Sequence, residues 1–378
     1  MDAVFFMPVA TLYFATKGVD IAGFFLIQGL FRVAMIVLEI PTGYVADRWT
    51  RARQIQLAHV IWVAYTIMLA LAHSFGSVLL AEVVCALALS FASGTVQAYL
   101  HEALRHEGRA PEQTAWQGRL FAASLAAESA AGLVGGWMFS ANPELPMLLT
   151  VLFGAVALAV SLSFRNVPRI ESPRRHANPL ADLALVVHHS LRVHPRLPML
   201  LMGPNMMFGF TGVLFWAIQA RLNTLHVSPG MMGAAMAGYF GIKAGLALAA
   251  GRIHQRAARH FAPALVALLT VGTGLMLINN PLLVWLGGVL GGGAVHAIGS
   301  PINTTLINAE VPDGERATVL SVASMISRSI GAVMLIASGP LLTVVSLQTV
   351  LVGYLVLTLA LVARPSLRLM RANAPQTP

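Results

Sequence analysis

Twelve apolar runs, separated by short breaks of charge, proline or glycine, leave this chain few ways to fold. They lie near residues 2–16, 20–46, 54–72, 75–100, 117–140, 144–164, 197–222, 229–251, 261–279, 281–309, 318–342 and 346–363. Most are close to the ~20 residues that an α-helix needs to cross a bilayer. Backbone groups must be satisfied internally in lipid, so long continuous apolar runs demand helices and exclude a β-barrel. Composition agrees. The chain is 57% hydrophobic and only 10% charged, with a mean hydropathy of +0.74, outside the range of soluble domains. The opening MDAVFFMPVATLYFATKG starts acidic and lacks a small-residue cleavage pattern, so it reads as a shortened first span rather than a signal peptide.

The longest polar interruption, 165–196, carries Arg165, Arg169, Arg174, Arg175, Arg192 and Arg196. It divides the chain into a six-helix bundle at 1–164, a linker at 165–196, a second six-helix bundle at 197–364 and a tail at 365–378. Part of the linker, Leu180 to Leu191, reads as a surface helix. The expected class is therefore an all-α membrane protein with twelve transmembrane helices in two pseudo-symmetric halves.

The formal charge of +9 does not imply nucleic acid, because the basic residues sit between apolar runs and not on a soluble face. They sit mainly in the breaks after even-numbered runs, as Arg48, Arg51, Arg53, Arg105, Arg109, Arg252, Arg256, Arg259 and Arg316, with Arg364, Arg368 and Arg371 in the tail. The odd-numbered breaks offer little beyond Lys17 and Arg221. By the positive-inside rule both termini are expected in the cytoplasm. Lysine is confined to Lys17 and Lys243, a bias that suggests a GC-rich bacterial genome and hence a bacterial inner membrane. The lone Cys85 excludes an intrachain disulfide and reads as a small core side chain.

The second run ends in EIPTGYVADRWTRAR, where Gly43, Asp47, Arg48, Arg51 and Arg53 resemble the loop 2–3 signature of the major facilitator superfamily. Gly43 would permit close helix approach, and Asp47 would cap a helix N-terminus and pair with arginine, making a conformational latch. Glu39-Ile40-Pro41-Thr42, SGTVQAYLHEAL and INTTLINAEVPDGERATVLS resemble an efflux-like bacterial branch. Thr50 replaces the glycine usual in the signature, and a β-branched residue avoids positive φ. AAGLVGGW keeps Gly135 and Gly136 of an antiporter pattern but has Gly132 where proline is usual. Span 4 lacks the arginine typical of drug–proton antiporters.

Ionisable groups inside a membrane are costly and usually paired or functional. Here they are Arg32, Glu39, Glu82, Glu128, Lys243 and Arg328. The halves repeat weakly: SLAAES matches SMISRS, setting Glu128 opposite Arg328, and aligning Asp47-Arg48 with Gly251-Arg252 sets Glu39 opposite Lys243. The superfamily arrangement implied by the resemblance faces span 2 with span 11 and span 5 with span 8. Depths estimated from the ~1.5 Å helical rise then match for two pairs of opposite sign, Glu39 with Arg328 and Glu128 with Lys243. Glu128 is the proton-coupling candidate. Arg32 lies near the depth of Glu82, which suggests a static pair between them, with substrate contact as the other reading of Arg32.

Further substrate-cavity candidates are Asn205, Trp216, Gln219, His296 and Asn303, on spans 7 and 10, which line the cavity in the family. Met202, Met206, Met207, Phe208, Phe210 and Phe215 would add an adaptable apolar wall. His188 and His189 lack the further ligands of a closed zinc site, and no metal or cofactor is expected. No nucleotide loop, metal spacing or activated nucleophile points to an enzyme.

The function implied is alternating-access movement of a small molecule through the lipid bilayer by a monomer, with proton-coupled export preferred. Proton-coupled uptake or facilitated diffusion of a metabolite is the alternative within transport. A non-transporting receptor or assembly factor is the alternative of another class.

Overall fold

The computed structural model describes residues 3–46, 48–168, 192, 194, 196–257, 261–312 and 316–372. Every regular element among them is helical. A 3₁₀ turn, Met7–Val9, leads into α1 (Ala10–Thr16), followed by α2 (Ile21–Ala46), α3 (Arg51–Ala70), α4 (Phe75–Ala92), α5 (Thr95–His106), α6 (Gln113–Ala141) and α7 (Leu145–Leu162). Then come α8 (Leu197–Thr224), α9 (Pro229–Ala257), α10 (Phe261–Met276), α11 (Pro281–Gly288), a π turn at Val289–Ala294, α12 (Val295–Glu310), α13 (Arg316–Leu342) and α14 (Leu347–Ala372). Eight helical stretches are long and apolar enough to cross a membrane, and Met7–Thr16, Ala262–Met276 and Leu347–Leu361 are shorter apolar helices. With α3 these occupy the twelve positions of the apolar runs. The expected surface helix at Leu180 to Leu191 lies outside the described residues.

Local chemistry sets the breaks. Ser74 Oγ accepts from Ser77 N at 3.3 Å to cap α4, and Asn280 Oδ1 accepts from Leu283 N at 3.1 Å ahead of Pro281 to start α11. The fourth run is not continuous. Gly94, at φ 70°, separates α4 from α5, a left-handed conformation that favours glycine. Pro204 inside α8 denies the Leu200 carbonyl its usual amide. The neighbouring Asn205 Nδ2 reaches the Leu201 carbonyl at 2.8 Å and that of Leu200 at 3.4 Å.

The chain divides into two compact units, Met1–Ser172 with His226–Gly241, and Pro173–Leu225 with Ile242–Pro378. In the first, α4 packs on α2 and α3, and α3 packs on α7. In the second, α8 is central, lying against α12, α13 and α14. There α10 meets α11 and the π turn almost backbone to backbone. A Cβ on Gly272 would stand 2.6 Å from the Gly291 Cα.

The end of each unit away from the arginine-rich breaks is tied by a buried cation. In the first unit Lys17 is 4% exposed. Its Nζ donates to the Ala70 carbonyl at the end of α3 and to Glu144 Oε1 before α7, both at 2.8 Å. In the second, Arg221 is 3% exposed. Its Nε donates to the Met276 carbonyl at the end of α10 at 3.2 Å, and Nη2 donates to Asn279 Oδ1 at 2.8 Å. With the Gln348 amide oxygen turned to the guanidinium, it accepts from Nη1 at 2.7 Å at the start of α14. Both cations sit where helix C-termini expose carbonyls and negative dipole ends. Although sequence places them in the odd-numbered breaks, neither is a loop charge.

Candidate functional site

The latch sequence spans the end of α2 and the start of α3. Gly43 lies exposed in the last turn of α2, with nothing within 4 Å of a Cβ built on it. Asp47 lies outside the described residues. Thr50 caps α3 at φ −67° and ψ 149°, so the turn asks for no positive φ there and tolerates the β-branched residue. Its hydroxyl donates to Asn166 Oδ1 at 2.5 Å. Arg48 and Arg53 are exposed, whereas Arg51 turns inward.

Arg51 Nε stands 3.6 Å from Glu102 Oε1, and the two side chains are 19% and 7% exposed. Its Nη1 donates to Gln54 Oε1 at 3.5 Å. Fully buried Gln54 donates from Nε2 to the Trp49 carbonyl at 2.9 Å and accepts from Thr95 Oγ1 at 3.3 Å. Thus the start of α3 is keyed to α5 by a buried polar chain. Glu102 is a residue that sequence reasoning missed, although it stands in the SGTVQAYLHEAL stretch. Between α5 and α6, Arg109 pairs with Glu112 through Nε at 2.9 Å and Nη2 at 2.8 Å. These hydrogen bonds, with the charge of Glu112, raise the guanidinium pKa above its ordinary value.

The glycines of α6 each have a neighbour. A Cβ on Gly132 would meet Ala237 N at 3.0 Å, and one on Gly136 would meet Gly233 Cα at 2.7 Å. A Cβ on Gly233 would in turn meet the Gly132 carbonyl oxygen at 2.5 Å, while Gly135 faces the Phe5 backbone. The two helices therefore cross antiparallel at backbone contact, which small residues, glycine above all, permit. Gly132, where proline is usual in the antiporter pattern, belongs to this crossing. An open groove of about 580 Å³ runs beside it, lined by Leu133, Trp137, Ser140, Ser228, Met231 and Ala234. Trp137 is 79% exposed.

Glu128 lies one turn from Gly132 on α6, and it acts electrostatically on Tyr239 of α9, which is buried. Glu39 and Glu128 are half-buried in the first unit, and Lys243 and Arg328 are half-buried in the second. Arg32 is also half-buried. The expected pair between Arg32 and Glu82 is not formed: Glu82 is 5% exposed, and its Oε1 instead accepts from Tyr65 Oη at 3.2 Å. Gly23 of α2 lies beside Phe75 of α4, so Arg32 falls only about two residues, ~3 Å, deeper than Glu82 along these parallel helices, and depth is not what keeps them apart.

The cavity candidates differ in setting. Asn205, Trp216, Gln219 and Asn303 are buried inside the second unit, and Asn205 serves its own helix as described above. Half-buried His296 touches the Phe208 ring, with centroids 5.7 Å apart. Among the described residues no three His, Cys, Asp or Glu side chains converge as a metal site. His188 and His189 lie outside those residues.

These features define a polytopic helical membrane protein built from two compact units. The model of the Major Facilitator Superfamily matches residues 1–223, and the chain belongs to that superfamily. Among curated proteins none matches. Solved structures of similar fold include a mutant of the nucleoside transporter NupG, with a TM-score of 0.77 at 13% identity, covering 98% of this chain and 96% of that one. A bacterial homolog of the human lysosomal transporter Spinster, inward-facing and unoccupied, gives 0.69 at 18% identity, covering 98% and 93%. A D-xylose–proton symporter gives 0.66 at 15% identity, covering 99% and 94%. The fold is thus the twelve-span, two-bundle transporter fold, and the protein is a transporter rather than an enzyme.

Proposed function

We propose that this protein exports a small molecule by alternating access in exchange for protons, as an antiporter of the bacterial inner membrane with both termini in the cytoplasm. The working parts are bundles at 1–164 and 197–364, a linker at 165–196, and a tail at 365–378. The observation that carries the reading is the glycine crossing of α6 and α9 with Glu128 one turn beyond it. Such a contact is close enough to hold one state firmly and has no side chains to interlock, so it suits a joint that opens and closes. A carboxylate beside it is positioned to make that opening depend on a proton.

In this reading Glu39 pairs with Arg328 and Glu128 with Lys243 when the cytoplasmic side closes. Their support is opposite sign, matched depth along the helices, and the division of acids and bases between the units. The Gly43 to Arg53 segment latches one conformation through Asp47 and Arg51. Arg32, Asn205, Trp216, Gln219, His296 and Asn303 are the substrate-cavity candidates.

The test uses everted membrane vesicles with a dye reporting an imposed pH gradient, to which amphiphilic drugs and small metabolites are added. Compound-dependent collapse of the gradient that disappears in Glu128→Gln is the expected result. A well-expressed protein that leaves the gradient untouched for every compound would overturn proton-coupled export.

A further inference from the structure

The first unit buries a second acid that the transport reading does not use. Glu82 of α4, Tyr65 of α3 and Cys85 one turn along α4 are 5%, 3% and 5% exposed. The phenol lies 3.2 Å from the carboxyl oxygen. We propose that Glu82 and Tyr65 form a proton-binding site within this unit, in which the Glu82 carboxyl takes up and releases one proton.

The argument rests on what faces the carboxyl. An ionised carboxylate removed from water requires a cation or several donors. From α3 the facing titratable group is Tyr65, and from α4 itself it is Cys85. From α2, Arg32 stands about two residues, ~3 Å, further toward the arginine-rich end and Glu39 further still, and the carboxyl takes the Tyr65 hydroxyl instead. From α5, His101 and Glu102 lie beyond the Gly94 break, with His101 held by Gln113 at 2.7 Å and Glu102 by Arg51. No cation among the described residues therefore pairs with Glu82, and a proton is the charge that balances it.

Tyrosine suits this task where lysine would not. Its hydroxyl both donates and accepts, so it donates to the ionised carboxylate and accepts from the protonated carboxyl, and the contact survives either state. The proton is exchanged with water, and the Phe75 end of α4 is about seven residues, or ~10 Å, along the helix from Glu82.

Infrared spectroscopy of the full-length protein in lipid nanodiscs tests the site without any transport assay, so its failure is separate from failure of the antiport reading. A protonated-carboxyl stretching band at neutral pH should disappear in Glu82→Gln and shift in Tyr65→Phe, which keeps the acid and removes only a hydroxyl. An identical carboxyl region in wild type and Glu82→Gln would overturn the proposal. Should Glu82→Gln fail to fold, Tyr65→Phe decides alone: an unshifted band overturns the site.

Discussion

Lys17 and Arg221 do the same work in the two halves of the chain. Each ends the first helix of its unit's series, donates to the last carbonyl of the third helix, and reaches the start of the sixth. The difference is the final partner, which is the carboxylate of Glu144 in one half and the amide of Gln348 in the other. A repeat that is faint in sequence thus reappears as a shared hydrogen-bonding plan.

This difference predicts opposite effects of two conservative changes. Gln348→Glu gives Arg221 a carboxylate and should raise the melting temperature of the purified protein, because hydrogen bonds between charged groups are about twice as strong as neutral ones. Lys17→Met removes the donor to both Ala70 and Glu144 and should cost about 1–3 kcal/mol, typical of lost charged hydrogen bonds. Thermal unfolding in one detergent measures both. A fall in melting temperature for Gln348→Glu would show that the added charge costs more in desolvation than it returns.

The α6–α9 crossing predicts a contrast between glycines on the same helices. Gly136→Ala and Gly233→Ala insert a methyl group where backbone already stands within 3 Å, and should depress both stability and transport. Gly118→Ala on α6 and Gly245→Ala on α9 meet nothing within 4 Å, and should gain roughly 0.5–1 kcal/mol from helix propensity. Melting temperatures of the four variants, with vesicle transport beside them, make the comparison. Equal effects at all four sites would remove the crossing from the mechanism.

The Arg51–Glu102 pair predicts an asymmetry. Arg51→Met leaves Glu102 buried without its cation, whereas Glu102→Gln leaves a neutral amide that still accepts a hydrogen bond. Arg51→Met should be the more damaging, and the double change should recover part of the loss, with a coupling of about 0.5–3 kcal/mol. Additive losses would mean that the 3.6 Å approach contributes nothing.

How much of this was legible in the sequence follows from what a helix reveals. Apolar runs of span length mark where helices lie, and the Gly43 to Arg53 signature marks the family, so both were readable. A helix does not reveal its partner. The sequence shows Gly132 and Gly136 but not that Gly233 and Ala237 stand opposite, because that depends on the rotation of two helices far apart in the chain. Lys17 and Arg221 read as loop charges because hydropathy averages over a window and misses a cation folded back onto helix ends. Glu82 was assigned to Arg32 on depth alone. Depth does not say which way a side chain faces, and Glu82 takes the Tyr65 hydroxyl of α3.

The proposed pairing of Glu128 with Lys243 can be tested without knowing the substrate. Gly132 faces Ala237 in the antiparallel crossing, and Glu128 lies one turn from Gly132 on α6. Charge reversal at one site alone, Glu128→Lys or Lys243→Glu, places like charges together and should abolish transport. The double reversal should restore binding and exchange but alter proton dependence, because the carboxylate then sits on α9. In a Cys85→Ser background, Glu128→Cys with Lys243→Cys should cross-link under mild oxidation, to an extent that ligand changes. Double reversal no better than either single change, together with no cross-link in any ligand condition, would leave Glu128 as a partner of Tyr239 within the first unit.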